Sequence, residues 1–156
     1  MNSIQFGPYE SLSRAQFALI LYRIQGTPDA VIENPFKDIV GDEWYADAVL
    51  WAYDNGIVTG FGDETFRPAD LITREQMVVM MYRYANYLEE DTTVEADYDD
   101  FIDADSVSEY ADEAMQWAVG NGILSGKVSK EGAMLAPWGA TARAEAAAII
   151  QRYMEK

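Results

Sequence analysis

Apolar residues recur at Phe17, Ile20, Leu21 and Ile24, again at Met77, Met80, Met81 and Tyr84, and again at Ala146, Ile149, Ile150 and Tyr153. Each set has the i, i+3, i+4, i+7 spacing of an amphipathic helix stripe. Polar landmarks repeat in the same register. Phe6-Gly-Pro8, Phe66-Arg-Pro68 and Leu135-Ala-Pro137 stand six residues, counted from the proline, before Arg14, Arg74 and Arg143, and nine residues after these come Arg23, Arg83 and Arg152. In the first two copies Ser13-Arg-Ala-Gln16 and Thr73-Arg-Glu-Gln76 are capping boxes that mark the helix start.

A second stripe occurs twice. Trp44, Ala48, Trp51 and Ala52 are matched by Tyr110, Ala114, Trp117 and Ala118, and Asn55-Gly56 and Asn121-Gly122 supply the left-handed stop that ends a helix. The patterns predict helices near Trp44 to Asp54, Ser108 to Val119, Ser13 to Gln25, Thr73 to Leu88 and Ala142 to Met154, with no run of period two long enough to form a strand. The expected fold is therefore all-α, built of helix-loop-helix repeats. Residues 1–26 form the second half of a first repeat, 36–88 a second and 101–155 a third, together one domain, with the third loop three residues longer before its proline. A helix pair this short cannot bury its apolar face alone, so the repeats are expected to pack on one another and bind ligand in their mutual grooves. The first repeat lacks its opening helix, so its second helix is expected to be the least protected part of a monomer.

Composition narrows the function. A hydrophobic share of 49% with four Trp, ten Tyr and six Phe describes a folded domain, and a net charge of -16 repels nucleic acid and anionic lipid. No apolar run approaches the roughly 20 residues needed to span a bilayer, so no membrane insertion is expected. With no histidine and no cysteine, the commonest general base, the thiolate nucleophile and the main zinc ligands are missing. The run from Asp103 to Ala114 fails as a calcium loop at Val107, Ser108 and Ala114. No cofactor or metal is expected, and no constellation of an enzyme is found.

Arg14, Arg74 and Arg143 lie in the first helical turn, where the macrodipole mildly disfavours a cation. One reading is an anion site made of guanidinium and helix amides, binding a carboxylate or phosphate; the other is an internal salt bridge to an acid such as Asp38 or Asp103. Arg23, Arg83 and Arg152, on the flank of the stripe, read as solvated or paired surface arginines whose stems cover the core. Trp51 and Trp117 read as core. Trp44 and Tyr110, at the helix starts, suit either stacking on a sugar ring or partial burial.

Phe36-Lys-Asp38, Trp51-Ala52, Asn55-Gly-Ile-Val-Thr-Gly60, Phe66-Arg-Pro68 and Ile72-Thr-Arg-Glu75, in this order, resemble the signatures of the S-layer homology repeat. The resemblance implies a three-repeat helical bundle with pseudo-threefold symmetry. It also implies an extracellular, cell-wall or S-layer associated protein that anchors non-covalently to secondary cell-wall polysaccharide without catalysis. The implied ligand is a polysaccharide end carrying a pyruvate ketal, whose carboxylate meets the arginine of each repeat, here Arg14, Arg74 and Arg143, in a groove between neighbours. It also implicates Asp38 and Asp103, and Thr59-Gly60 and Ser125-Gly126. The third repeat departs from the pattern in Thr141-Ala-Arg-Ala-Glu145, which moves its expected helix start toward Thr141. The alternative function is a protein-interaction or self-assembly module of a surface-layer protein, a homo-oligomer or one whose missing helix comes from another segment.

Overall fold

The structure is a computed structural model that describes residues 10–93 and 96–156; the Phe6-Gly-Pro8 landmark lies outside the described residues. Five α-helices follow in order: α1 (Arg14–Ile24), α2 (Ala46–Asp54), α3 (Arg74–Tyr87), α4 (Asp112–Gly120) and α5 (Arg143–Glu155). Short 3-10 turns at Ala104–Ser106 and Glu109–Ala111 lead into α4, so the regular helix begins later than Ser108.

Both capping boxes form. The Ser13 and Thr73 hydroxyls accept from the amides of Gln16 and Gln76, whose side chains accept in return from the cap amides. At α5 Ala142 offers no hydroxyl, and only the return bond survives, from the Ala142 amide to Glu145 Oε1 at 3.3 Å. That half-box still starts the helix at Arg143 with Ala142 as its cap, close to the expected Ala142 and without the shift toward Thr141. Asn55 and Asn121 end α2 and α4 by donating their side-chain amides to the carbonyls of Trp51 and Trp117 at 2.9 and 2.8 Å.

The all-α expectation needs correction. The longer third loop folds into a two-stranded antiparallel hairpin, β1 (Lys127–Ser129) and β2 (Gly132–Met134). Its extra residues supply a turn in which the Ser129 hydroxyl donates to the Gly132 carbonyl at 2.8 Å and accepts from the Glu131 amide at 3.2 Å. Gly132, at φ 136°, takes a backbone that other residues adopt rarely.

The copies are tied together ahead of the long helices. Leu12 donates its amide to the Thr141 carbonyl, Thr141 to that of Ile72, and Ile72 to that of Leu12, at 2.9, 3.1 and 2.9 Å, closing a ring of three bonds. Each long helix then gives its first amides to the loop of a neighbouring copy: Arg14 to Asp70, Ala15 to Pro68, Arg74 to Gly139, Glu75 to Pro137 and Arg143 to Glu10. These amides lack partners within a helix, so the docking satisfies them while it fixes each arginine against the next copy.

The helices pair across copies. α2 packs along α1 and α4 along α3; the Trp51 ring lies 5.7 Å from Tyr22, and Trp117 lies 5.5 Å from Tyr82. Hence α1 is covered, against the expectation that it would be the least protected helix: Ala15 and Ala18 are buried. Among the described residues the least covered long helix is α5. Its residues at the equivalent positions, Ala144 and Ala147, are exposed, Gln151 stands exposed where Tyr22 and Tyr82 meet tryptophans, and Met154 is 62% exposed. Few buried apolar contacts mean a low local opening energy. Amides of α5 are therefore expected to exchange at least about tenfold faster than those of α1 and α3 in native-state hydrogen exchange; equal protection of α5 and α3 would contradict this.

Candidate functional site

The arginines that begin α1 and α3 enter grooves between copies. Arg14 is 6% exposed, donates Nε to the Phe66 carbonyl at 2.9 Å and lies with its guanidinium carbon 4.5 Å from the Phe61 ring centre and 4.7 Å from that of Phe66. Its groove, of about 300 Å³, is lined by Thr59, Gly60 and Phe61 of the second loop, by Gln76, Val79, Met80 and Arg83 along α3, and by Tyr110. Among the described residues no carboxylate forms an ion pair with Arg14. Burial pulls its proton affinity down to about 10, with Tyr110, Asp70 and Asp38 pulling the other way, so it remains a cation at neutral pH.

Arg74 is the equivalent residue in the next groove, of about 400 Å³, lined by Ser125, Gly126 and Lys127 and by Glu145, Ala148, Ile149 and Arg152 along α5. It is 2% exposed and donates Nε to the Leu135 carbonyl at 2.8 Å. Its Nη1 is ion-paired with Glu145 Oε2, whose other oxygen lies 3.4 Å from Lys127 Nζ. Burial lowers the Arg74 pKa, against the opposing pull of Glu145 and Asp103. The two arginines thus share a seat and differ in partner.

The anion site built from helix amides, one of the sequence readings, is not formed, because the first amides of α1 and α3 are taken by loop carbonyls. Nor do Asp38 and Asp103 pair with the arginines. Asp38 accepts from the amides of Phe66 and Arg67 at 2.9 and 2.8 Å, and Asp103 from those of Leu135 and Ala136 at 2.8 Å each. Arg67 and Ala136 have φ of 61° and 49°, a backbone that costs a non-glycine residue about 1–2 kcal/mol. The aspartates hold that loop in place below the groove.

Of the other sequence candidates, Thr59, Gly60 and Tyr110 meet around Arg14, and Ser125 and Gly126 around Arg74. Trp44 is 62% exposed, edge-on to Tyr45 at 4.9 Å, and lines neither groove. Arg143 faces a shallow hollow with Leu12, Ile20, Ala146, Ala147, Ile150 and Gln151. Trp51 and Trp117 are core, as expected.

Arg83, expected to be a solvated or paired surface arginine, is half-buried in the first groove, where burial lowers its pKa. Arg152 lines the second groove but is exposed. The signal was present in the sequence, because Gln76, Val79, Met80 and Arg83 follow i, i+3, i+4, i+7 and form one helical face of their own.

Comparison with known proteins agrees with this architecture. The family model described as "S-layer homology domain" matches residues 35–78 and 100–147. An amylopullulanase of Thermoanaerobacterium thermosulfurigenes is 33% identical over the full chain, which covers 8% of that protein. The exoglucanase XynX of Acetivibrio thermocellus is 33% identical over the full chain and is covered for 14% of its length. The surface-layer 125 kDa protein of Lysinibacillus sphaericus is 30% identical over 96% of the chain, covering 12% of its own. The chain thus spans a small part of each of these relatives. With the family model matching more than half of its residues and relatives aligning along its whole length, the chain belongs to the S-layer homology family.

Proposed function

We propose that this chain is a non-catalytic module of the cell surface that holds an anionic, pyruvylated wall polysaccharide in the grooves between its repeats. Membership of the S-layer homology family, and likeness to part of a surface-layer protein, support the anchoring role and an extracellular, wall-associated location. Among the described residues no helix is long and apolar enough to cross a membrane. The closed ring of main-chain bonds supports a pseudo-threefold arrangement of three copies, 1–26, 36–88 and 101–155, as one domain.

The observation that carries the ligand reading is the guanidinium of Arg14. It is a buried cation without an acidic partner among the described residues, walled by aromatic rings and joined by Arg83, in a protein of net charge -16. A planar donor fork in a partly dry groove suits a carboxylate, and the Phe61 and Tyr110 rings suit the apolar face of a sugar. At long range the protein's charge opposes an anionic ligand, so local donors must outweigh that field. The expected result is co-sedimentation with purified wall polysaccharide that is lost when the ketal is removed by mild acid. Retention by the ketal-free polymer would overturn the carboxylate reading.

A further inference from the structure

Glu75, the second residue of α3, is a carboxylate only 3% exposed that lines neither groove. No ion pair compensates it among the described residues. Both of its oxygens accept from one residue of the third copy: Oε1 takes the Ser108 amide at 3.0 Å and Oε2 the Ser108 hydroxyl at 2.6 Å. The first turn of a helix favours a negative charge, and two donors satisfy a buried acceptor that would otherwise be costly. The equivalent positions of α1 and α5 hold Ala15 and Ala144, which offer no side-chain acceptor.

The grip falls just before the 3-10 turn Glu109–Ala111, which packs against α3 and brings Tyr110 to the groove of Arg14. Ala111 is buried at the far end of that turn, so the chain is pinned on both sides of Tyr110, by an apolar contact after it and by Glu75 before it. Burial raises the pKa of the Tyr110 hydroxyl, and the nearness of Glu75 raises it further. The first groove is thus assembled from three copies: Arg14 from the first, the Thr59 to Phe61 loop and α3 from the second, and Tyr110 from the third. Resting on the reading that Tyr110 offers its ring to the bound saccharide, we propose that Glu75 is a positioning residue of this groove, which holds Tyr110 in place through Ser108.

The test is calorimetric titration with a methyl hexopyranoside carrying a 4,6-pyruvate ketal, well below each variant's unfolding transition. Tyr110→Ala and Glu75→Ala are each expected to weaken binding about tenfold. If Glu75 acts through Tyr110, the double variant should bind within about twofold of Tyr110→Ala alone, because the second change removes nothing further. Glu75→Gln can still meet both Ser108 groups and should bind within about threefold of the native chain. Ser108→Ala, which loses the 2.6 Å bond and keeps the amide, should weaken binding about threefold and be silent in the Tyr110→Ala background; it carries the same test should Glu75→Ala fail to fold. Native affinity in Glu75→Ala, independent losses that multiply in the double variant, or a Glu75→Gln variant as weak as Glu75→Ala would overturn the positioning role and leave the carboxylate reading intact. No binding by the native chain would remove both.

Discussion

Replacing Arg14 by alanine is expected to abolish most of the binding, by about 2–4 kcal/mol, because it removes the buried donor fork that the ligand carboxylate would meet. Lysine in its place should recover little. It keeps the charge but loses both the planar fork and the Nε bond to the Phe66 carbonyl. Arg83→Ala should cost about 1 kcal/mol or more, since Arg83 shares the groove and is partly desolvated. Arg74→Ala should leave the first groove's affinity unchanged and instead lower fold stability by about 2 kcal/mol, through loss of a partly buried ion pair and of the buried bond to Leu135. Affinities are read by calorimetry well below each variant's unfolding transition, with urea unfolding measured in parallel. Equal affinity losses from Arg14→Ala and Arg74→Ala would show that the ion pair of Arg74 opens for the ligand, and unchanged affinity in Arg14→Ala would place the site elsewhere.

The helices were legible because each is written locally, in stripes at 3.6-residue spacing, in hydroxyl caps and in Asn-Gly stops. Which helices pair was not. The sequence joins Trp51 to the long helix that follows it in the same copy, and Trp51 does lie 6.4 Å from Tyr84, yet α2 also packs on α1 of the preceding copy. Among the described residues, that cross-copy pairing makes α5 rather than α1 the least covered long helix. The hairpin was hidden for a related reason: three-residue strands are too short for a period of two to register.

At the site, the arginines and loop glycines were legible as repeated landmarks, while their partners depended on tertiary placement. Nothing local distinguishes Gln76 from Glu145, both good cap residues, until they are brought against Arg14 and Arg74 from a neighbouring copy. The salt-bridge alternative for the aspartates depended on tertiary placement in the same way. Asp38 lies 28 residues from the Phe66 amide it accepts, and Asp103 lies 32 from Leu135, so an acid available to an arginine on paper is consumed by a loop in space.

Gly60→Ala is expected to destabilise the protein by about 3 kcal/mol, combining a left-handed backbone with steric overlap. At φ 76° an added Cβ would stand 2.7 Å from Phe36 Cε1 and 2.8 Å from the Thr65 carbonyl oxygen. The equivalent Gly126, at φ 83°, would meet Phe101 Cε1 at 2.5 Å and the Met134 carbonyl oxygen at 2.8 Å. One partner in each case is backbone, which cannot swing away as a flexible side chain can. Gly56 supplies the control: its φ is 74°, but nothing lies within 4 Å of its added Cβ, so Gly56→Ala bears the conformational cost alone, about 1 kcal/mol. For a chain of this size the Gly60 variant should melt about 6–12 °C below the native protein and the Gly56 variant only about 2–4 °C below. Because Phe36 leads into Asp38, which anchors the Phe66-Arg67 amides beneath Arg14, the same substitution should also misplace the groove wall. Equal melting shifts in Gly60→Ala and Gly56→Ala would mean that the loop yields to the methyl group, and that the close packing of Gly60 on Phe36 does not set the position of the groove.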